Sequence, residues 1–181
     1  MEKSIFKFRV KEIAVGWCDV ELIIHDNVIN FCASYLGPNP LDSFIEACAD
    51  FSDSYSDGEF NITWYEEPGS LHITLKLEEN NFLHIDIKLC TYESDDDVIQ
   101  EWHETIPYEC FESAIIAESF RVLKTYGIQG YRMSWLSHTD FPIAPLLSLI
   151  TKASPIQKGD TYYTDIDAEL KCLMSHIHNN I

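Results

Sequence analysis

The sequence is short of basic residues, and their absence is concentrated in two long stretches. Only 12 Lys and Arg residues accompany 30 Asp and Glu residues in the 181-residue chain, for a formal net charge of −18. Twelve acidic residues occur without one base between Lys11 and Lys76, and nine more do between Lys88 and Arg121. Such a surface repels phosphate and anionic lipid and attracts cations and basic proteins. We therefore expect no nucleic-acid or membrane partner, and the acidity serves either a basic partner or solubility alone.

Motifs that would indicate a particular chemistry are missing as well. The longest strongly apolar stretch, residues 141–150, is shorter than a membrane span and contains two prolines. The six cysteines include no CxxC pair, so we interpret them as reduced core residues. The sequence has no GxGxxG, Walker or GxSxG motif. We therefore predict no cofactor, no metal site and no catalytic residue, and whether the protein is an enzyme stays open.

The N-terminal residues MEKSIFKFRV carry charges where a secretory signal needs an unbroken apolar segment. We therefore expect a cytoplasmic protein whose mature chain starts there. Because 46% of the residues are apolar and the length suits one core, residues 1–153 are predicted to form a single α+β domain. Residues 154–181 are predicted to be a C-terminal extension with a helix near residues 165–178.

Alternating apolar residues predict the first three strands within about 36 residues. If the apolar faces of the first two strands coincide, Val10 pairs with Val20. Arg9 then lies opposite Glu21, and Lys11 lies opposite Asp19. This pairing explains the only basic cluster of the chain without a nucleic acid.

The stretch TWYEEPGSLHI, residues 63–73, is interpreted as a hairpin turn with a polar tip. Pro68-Gly69 suits the centre of a type II turn, and pairing Trp64 with Ile73 buries the large side chains on one face. A strand at residues 83–89 extends that face, and a seventh strand is predicted at residues 98–106. Across the chain we predict a core that contains Phe8, Leu22, Phe31, Phe44, Trp64, Ile73, Leu75, Ile85, Ile87, Ile115 and Leu123.

Apolar residues recur at helical spacing after Pro40, again from about residue 109 to a stop at Gly127, and over residues 143–151. The element order is βββαββββα. This order predicts an α+β fold with a mainly antiparallel sheet of about seven strands and helices packed on one face.

Two groups of carboxylates are candidate residues for binding a partner. The first shares the predicted exposed face of the first helix, and the second crowds one loop: Asp42, Glu46, Asp50 and Asp53; Asp95, Asp96 and Asp97. Neither group has a base nearby in the sequence, and such clusters accelerate encounter with a cationic surface. We predict that a basic protein partner binds there.

A second candidate is the polar face of the second half of the sheet. It gathers the side chains of Tyr65, His72, His84 and Asp86. His84 and Asp86 form an HxD pair, but the register places Lys76 and Thr74 beside them, so no third metal ligand converges. This face would serve a small enzyme or a ligand-binding domain.

The motifs Gly16-Trp17, Ser34-Tyr35-Leu36-Gly37, Trp64-Tyr65-Glu66-Glu67-Pro68-Gly69 and Gly130-Tyr131 resemble a family of small, acidic, uncharacterised bacterial proteins. The resemblance covers roughly residues 8–150, implies a shared fold, and carries over no catalytic residue. In size, acidity and lack of motifs the chain is also similar to immunity proteins that accompany bacterial polymorphic toxins. That likeness implies an acidic protein-binding module that occupies a basic protein, as an immunity or inhibitor protein does.

Overall fold

The computed structural model describes residues 5–52, 58–91, 97–135, 139–151, 156–158 and 161–179, which form two antiparallel sheets, a short hairpin and four helices. The first sheet has the order β1 (Phe6–Ala14), β2 (Trp17–Ile24), β3 (Asn27–Ser34). The second has the order β4 (Glu59–Glu66), β5 (Gly69–Leu77), β6 (Phe82–Thr91), β7 (Val98–Pro107). The helices are α1 (Pro40–Phe51), α2 (Tyr108–Ser134), α3 (Ile143–Ile150) and α4 (Ile166–Asn179), and the hairpin is β8 (Ile156–Lys158) with β9 (Thr161–Tyr163).

The predicted α+β fold is confirmed, with seven strands that divide into sheets of three and four. Consecutive strands within each sheet are joined directly and pair with their neighbours in the chain. Helix α1 interrupts this series, and β3 and β4 on either side of it contact each other while belonging to different sheets. The seven strands therefore divide into two sheets at α1, where the direct connections between consecutive strands are interrupted.

Phe44 of α1 marks the centre of the core. Its ring lies 5.0 Å from that of Phe8 in the first sheet, 5.2 Å from Trp64 in the second, and 5.3 Å from Phe111 of α2, measured between centroids. Both sheets and two helices therefore meet at one aromatic cluster. All eleven predicted core residues are buried, so that prediction is confirmed.

The predicted register of β1 and β2 is confirmed as far as Val10 and is wrong beyond it. Arg9 lies opposite Glu21, as predicted, but Asp19 lies opposite Glu12 because the pairing shifts by one residue at Lys11. A bulge of this kind inserts one unpaired residue into one strand. Lys11 Nζ lies instead 3.0 Å from the Glu21 carboxylate.

The predicted pairing of β4 with β5 is wrong by two residues. Trp64 lies opposite Leu71, and Glu66 lies opposite Gly69, so the turn consists of Glu67 and Pro68, joined by a cis peptide bond. A type II turn centred on Pro68-Gly69 is therefore not formed. Because side chains alternate with a period of two, the shift leaves Trp64 on the core face.

The helices follow the predicted spacing with one difference in α2. The helical conformation is interrupted at Gly127, as predicted, where φ is +64°, and a second helical part continues beyond this kink to Ser134. Helix α4 lies within the segment predicted as a C-terminal extension, and the domain boundary itself stays a prediction. Among the described residues, no helix combines the length and apolarity that crossing a bilayer requires.

Candidate functional site

The acidic face predicted for α1 is largely absent, since Asp42 and Asp50 are half-buried and Glu46 is exposed. Asp53 lies outside the described residues. The helix contacts β4, α2 and α3, so that seven of its twelve residues are buried and little of its circumference reaches solvent. Periodicity predicts one apolar stripe correctly, but it does not show how many elements cover a helix.

Asp42 belongs to a polar cluster where α1 meets the end of α2. The Tyr131 hydroxyl donates to Asp42 Oδ1 at 3.4 Å and accepts from the side-chain amide of Asn39. Asn39 also caps α1, because its Oδ1 accepts the Leu41 N–H at 2.9 Å. Burial, assisted by the nearby Glu46 carboxylate, raises the pKa of Asp42 to about 7. Asp42 therefore takes part in a hydrogen-bonded cluster between α1 and α2 and is poorly placed to contact a partner.

The predicted acidic loop is described only at its end. Asp95 and Asp96 lie outside the described residues, and Asp97 is exposed. Asp97 Oδ2 accepts the Thr91 hydroxyl at 3.0 Å, and its carbonyl accepts the Thr91 N–H at 3.1 Å. Asp97 thus closes the connection between β6 and β7.

The polar face of the second sheet places its histidines in separate cross-strand rows. His72 lies in the row of Thr63 and bonds its hydroxyl at 3.1 Å, while its second ring nitrogen bonds Ser70 at 2.9 Å. His84 bonds Thr105 at 2.7 Å and Glu78 at 2.9 Å. Both ring nitrogens of each histidine are therefore engaged by neighbouring side chains.

Asp86 lies opposite His103 and contacts it, a pair that the sequence analysis does not predict. The two side chains are 2.7 Å apart at Nδ1 and Oδ1, and Glu101 lies 3.3 Å from the other ring nitrogen. These bonds, first that to Asp86 and then that to Glu101, raise the pKa of His103. Alternation of Glu101 and His103 along β7 was the signal that could have identified this trio.

The polar face does not bring its four predicted side chains together. Tyr65 lies at the end of β4, while His72, His84 and Asp86 lie in three different rows with different partners. Within the described ranges, no group of three or more His, Cys, Asp or Glu side chains is arranged to hold a metal ion.

Three connections meet at one end of the molecule, which we call the turn end: residues 15–16, 35–39 and 65–68. Trp17 pairs with Ser34, so the β1–β2 turn and the loop after β3 are neighbours. Gly37 packs against the ring of Tyr65, because a Cβ built on Gly37 would lie 2.6 Å from Tyr65 Cδ2. The exposed fractions of the large apolar side chains here are high: Val15 70%, Leu36 58%, Tyr65 44% and Tyr35 43%.

A recess of about 290 Å³ adjoins the turn end where β3 passes β4. Its walls include Asp19, Cys32 and Glu66. The Cys32 thiol interacts with Asp19, and its backbone amide interacts with the Glu66 carboxylate. One residue of β3 therefore holds a carboxylate on each side of it.

The electrostatics of this recess favour a cation. Burial raises the pKa of Glu66, and the nearby negative charge of Asp19 raises it further. Lys11, the base in its wall, already bonds Asn30 and the Glu21 carboxylate. Burial also raises the pKa of Cys32 to about 12, so the thiol stays protonated and is a poor nucleophile.

No protein-family model matches this chain, and comparison with curated proteins and with solved structures finds no match. The functional argument therefore depends on the geometry of the chain itself.

Sequence reasoning missed the turn end as a site. The sequence predicts Tyr65 on the polar sheet face and indicates only a hairpin turn with a polar tip for residues 63–73. Residues 16, 35 and 65 lie far apart in the sequence, so only the fold brings them together. The signal that was available is that three of the quoted motifs, around Gly16, Tyr35 and Tyr65, each contain a turn.

Proposed function

We propose that the protein is an acidic protein-binding module that uses the turn end to bind a basic protein partner, as an inhibitor of a toxin would. The observation that carries the proposal is the position of exposed Tyr35 and Tyr65 beside the recess formed by Asp19 and Glu66. Aromatic side chains supply much of the contact energy in protein interfaces. Carboxylates at the same place select a cationic surface.

The charge of the chain supports this assignment at longer range. The formal net charge of −18 steers a basic protein toward the molecule, and the gain in association rate falls as salt is added. Glu67 in the turn end is exposed, as are Glu12 and Asp19 next to it, so this region also carries negative charge. We infer that the acidic field increases the rate of encounter and that the apolar side chains hold the complex together.

Crosslinking in the native host would test whether the turn end meets a partner. A photoreactive phenylalanine analogue replaces Tyr65 in one variant and Phe82 in a control. The two positions are matched, because Tyr65 is 44% exposed, Phe82 is 42% exposed, and they lie at opposite ends of the second sheet. We expect the Tyr65 variant, and not the Phe82 variant, to crosslink a basic protein. Equal crosslinking at both positions, or an acidic protein at Tyr65, would contradict the proposal.

Binding measurements with the purified partner would then separate the two contributions. Tyr65→Ala should speed dissociation and weaken affinity about tenfold or more, as at a central interface residue, while Phe82→Ala should have little effect. The pair Asp19→Asn and Glu66→Gln should slow association and flatten its salt dependence.

A neutralised pair at the far end of the sheet, Glu78→Gln with Glu79→Gln, is the matched control for the loss of two charges. Both residues are exposed. If this control slows association as much as the Asp19 and Glu66 pair does, net charge alone explains the rate and the recess is not the contact.

A further inference from the structure

Helix α4 has one face against the rest of the protein and an apolar stripe beside it in solvent. On the packed face, Cys172 Sγ lies 3.5 Å from the Ile150 carbonyl, and the ring of His176 stacks on Phe120 at 5.2 Å. Leu173 and Ile177 also pack against the core. These contacts fix the helix on α2 and α3 and therefore determine which side chains remain outside.

The stripe consists of three residues spaced four apart: Ile166, Leu170 and Met174. Their exposed fractions are 61%, 51% and 47%. Residues at this spacing lie one above the other on a helix, so the three side chains form a continuous apolar surface two turns long. A stripe of this kind is typical of a helix that packs against a second helix.

The distribution of charge indicates which second helix can cover it. Residues 1–151 contain 26 acidic and 9 basic residues, a net charge of −17, whereas residues 152–181 contain 4 acidic and 3 basic residues, a net charge of −1. Most of the charge that makes two copies of the chain repel each other therefore lies outside the C-terminal segment. This nearly neutral segment is also the part that exposes the stripe.

Charges next to the stripe are complementary to those of an identical helix. Asp167 and Lys171 are both exposed and lie one turn apart, beside Leu170. When two copies of α4 pack antiparallel with Leu170 at the centre, Asp167 of each copy lies on the same flank as Lys171 of the other, offset by about 3 Å along the helix axis. The pairing thus forms two oppositely charged contacts around an apolar centre.

We propose that α4 is a self-association surface, at which a second copy of this chain packs its own α4 antiparallel against Ile166, Leu170 and Met174. The proposal is independent of the turn end, which uses other residues. It also predicts the opposite salt dependence. Added salt screens the repulsion between two acidic copies and strengthens the dimer, whereas it weakens the binding of a basic partner.

Sedimentation equilibrium of the full chain from ~1 µM to ~1 mM would test the proposal, because a self-associating mass depends on concentration. We expect the mass to rise with protein concentration from 20.9 kDa toward twice that value. When salt is added, this rise should begin at a lower protein concentration. Leu170→Glu should weaken the dimer by about 100-fold or more, since it buries an unpaired charge. The matched control is Leu36→Glu, which changes an equally exposed leucine at the turn end and should leave the dimer intact.

Charge reversal tests the antiparallel arrangement itself. Asp167→Lys alone and Lys171→Asp alone each create two like-charged contacts per dimer, so each variant should associate about tenfold more weakly. An equimolar mixture of the two variants restores opposite charges at both contacts and should form a heterodimer. A chain that stays monomeric over the whole range, a mixture no tighter than its components, or a Leu36→Glu variant as weak as Leu170→Glu would overturn the proposal.

The same two leucine variants distinguish failure here from failure of the proposed function. Leu36→Glu should lose the basic partner and keep the dimer, and Leu170→Glu should do the reverse. If Leu170→Glu loses only the ability to dimerise, the result supports self-association, whether or not a basic partner is found.

Discussion

Glu118 of α2 accepts the backbone N–H of Val10 at 2.6 Å, although the two residues are 108 positions apart in the chain. The same carboxylate accepts two hydrogen bonds from Arg121, at 2.6 and 2.8 Å, and Arg121 donates in turn to the Val10 carbonyl. β1 is the edge strand of the first sheet, and Val10 precedes the bulge at Lys11. The pair therefore satisfies both backbone groups of an edge residue and covers the edge at this position.

Removing the Glu118 carboxylate should be costly. Glu118 is only 5% exposed, so Glu118→Ala leaves the Val10 N–H without its acceptor and the Arg121 guanidinium without its main counter-charge. We expect the free energy of unfolding to fall by about 3 kcal/mol in urea titrations. Glu109→Ala, an exposed glutamate of the same helix, should change it by less than about 0.5 kcal/mol. Equal effects of the two substitutions would refute this role for Glu118.

Asp42 should make stability fall as the pH rises from about 4 to about 7. Its pKa is raised in the folded protein to about 7, so the folded state keeps a proton that the unfolded state releases above its ordinary pKa of 3.8. The contribution is therefore complete below pH 4 and is lost through pH 7. Asp42→Asn should flatten this part of the profile and raise stability above pH 7 by roughly 1 to 3 kcal/mol.

Glu46→Gln provides the control for Asp42, because Glu46 is exposed and its charge raises the pKa of Asp42 less than burial does. This variant should shorten the pH-dependent range only slightly. If urea unfolding between pH 4 and 8 shows the same slope for the parent and Asp42→Asn, Asp42 is not the titrating group.

Adding a side chain at position 37 should destabilise the protein only when Tyr65 is present. A Cβ at position 37 would lie 2.6 Å from Tyr65 Cδ2, so Gly37→Ala has to displace the tyrosine ring. We expect a loss of about 1 to 2 kcal/mol in unfolding experiments. In a Tyr65→Ala background the same substitution should cost almost nothing, and a double-mutant cycle would measure the difference. Identical costs in both backgrounds would rule out this contact as the cause.

The ring of His103 should report on Asp86 and Glu101 in an NMR titration. Hydrogen bonds to these two carboxylates raise its pKa, and the bond to Asp86 is the larger cause. Asp86→Asn should therefore lower the pKa of His103 more than Glu101→Gln does. The reverse order would indicate that Glu101 is the dominant partner.

Apolar patterning anticipated the elements better than the contacts between them. The alternation in residues 83–89 predicts β6 correctly, because burial on one face of a strand leaves a period of two that does not depend on its neighbours. Pairing depends on turns and bulges. The register of Trp64 was wrong by two residues because the turn consists of Glu67 and Pro68.

The candidate site was less predictable than the fold. The helical period places Asp42 opposite the apolar stripe of α1, but α2 and α3 cover that side as well, and Tyr131 comes to lie against the carboxylate. The sequence of one helix does not show which further elements pack against its polar side. Of the acidic face expected on α1, Glu46 is exposed while Asp42 and Asp50 are half-buried. The excess of acid in the chain is a property of composition.

By itself the sequence determined the α+β class, the identity of the core and the sign of the surface charge, because each follows from composition or from a local period. Only the tertiary structure decided that Gly37 packs on Tyr65, that Cys32 lies between Asp19 and Glu66, and that α4 exposes Leu170. The physical reason is that these relationships join residues from different elements. Their geometry depends on how the two sheets and the helices pack, and that packing is a property of the whole chain.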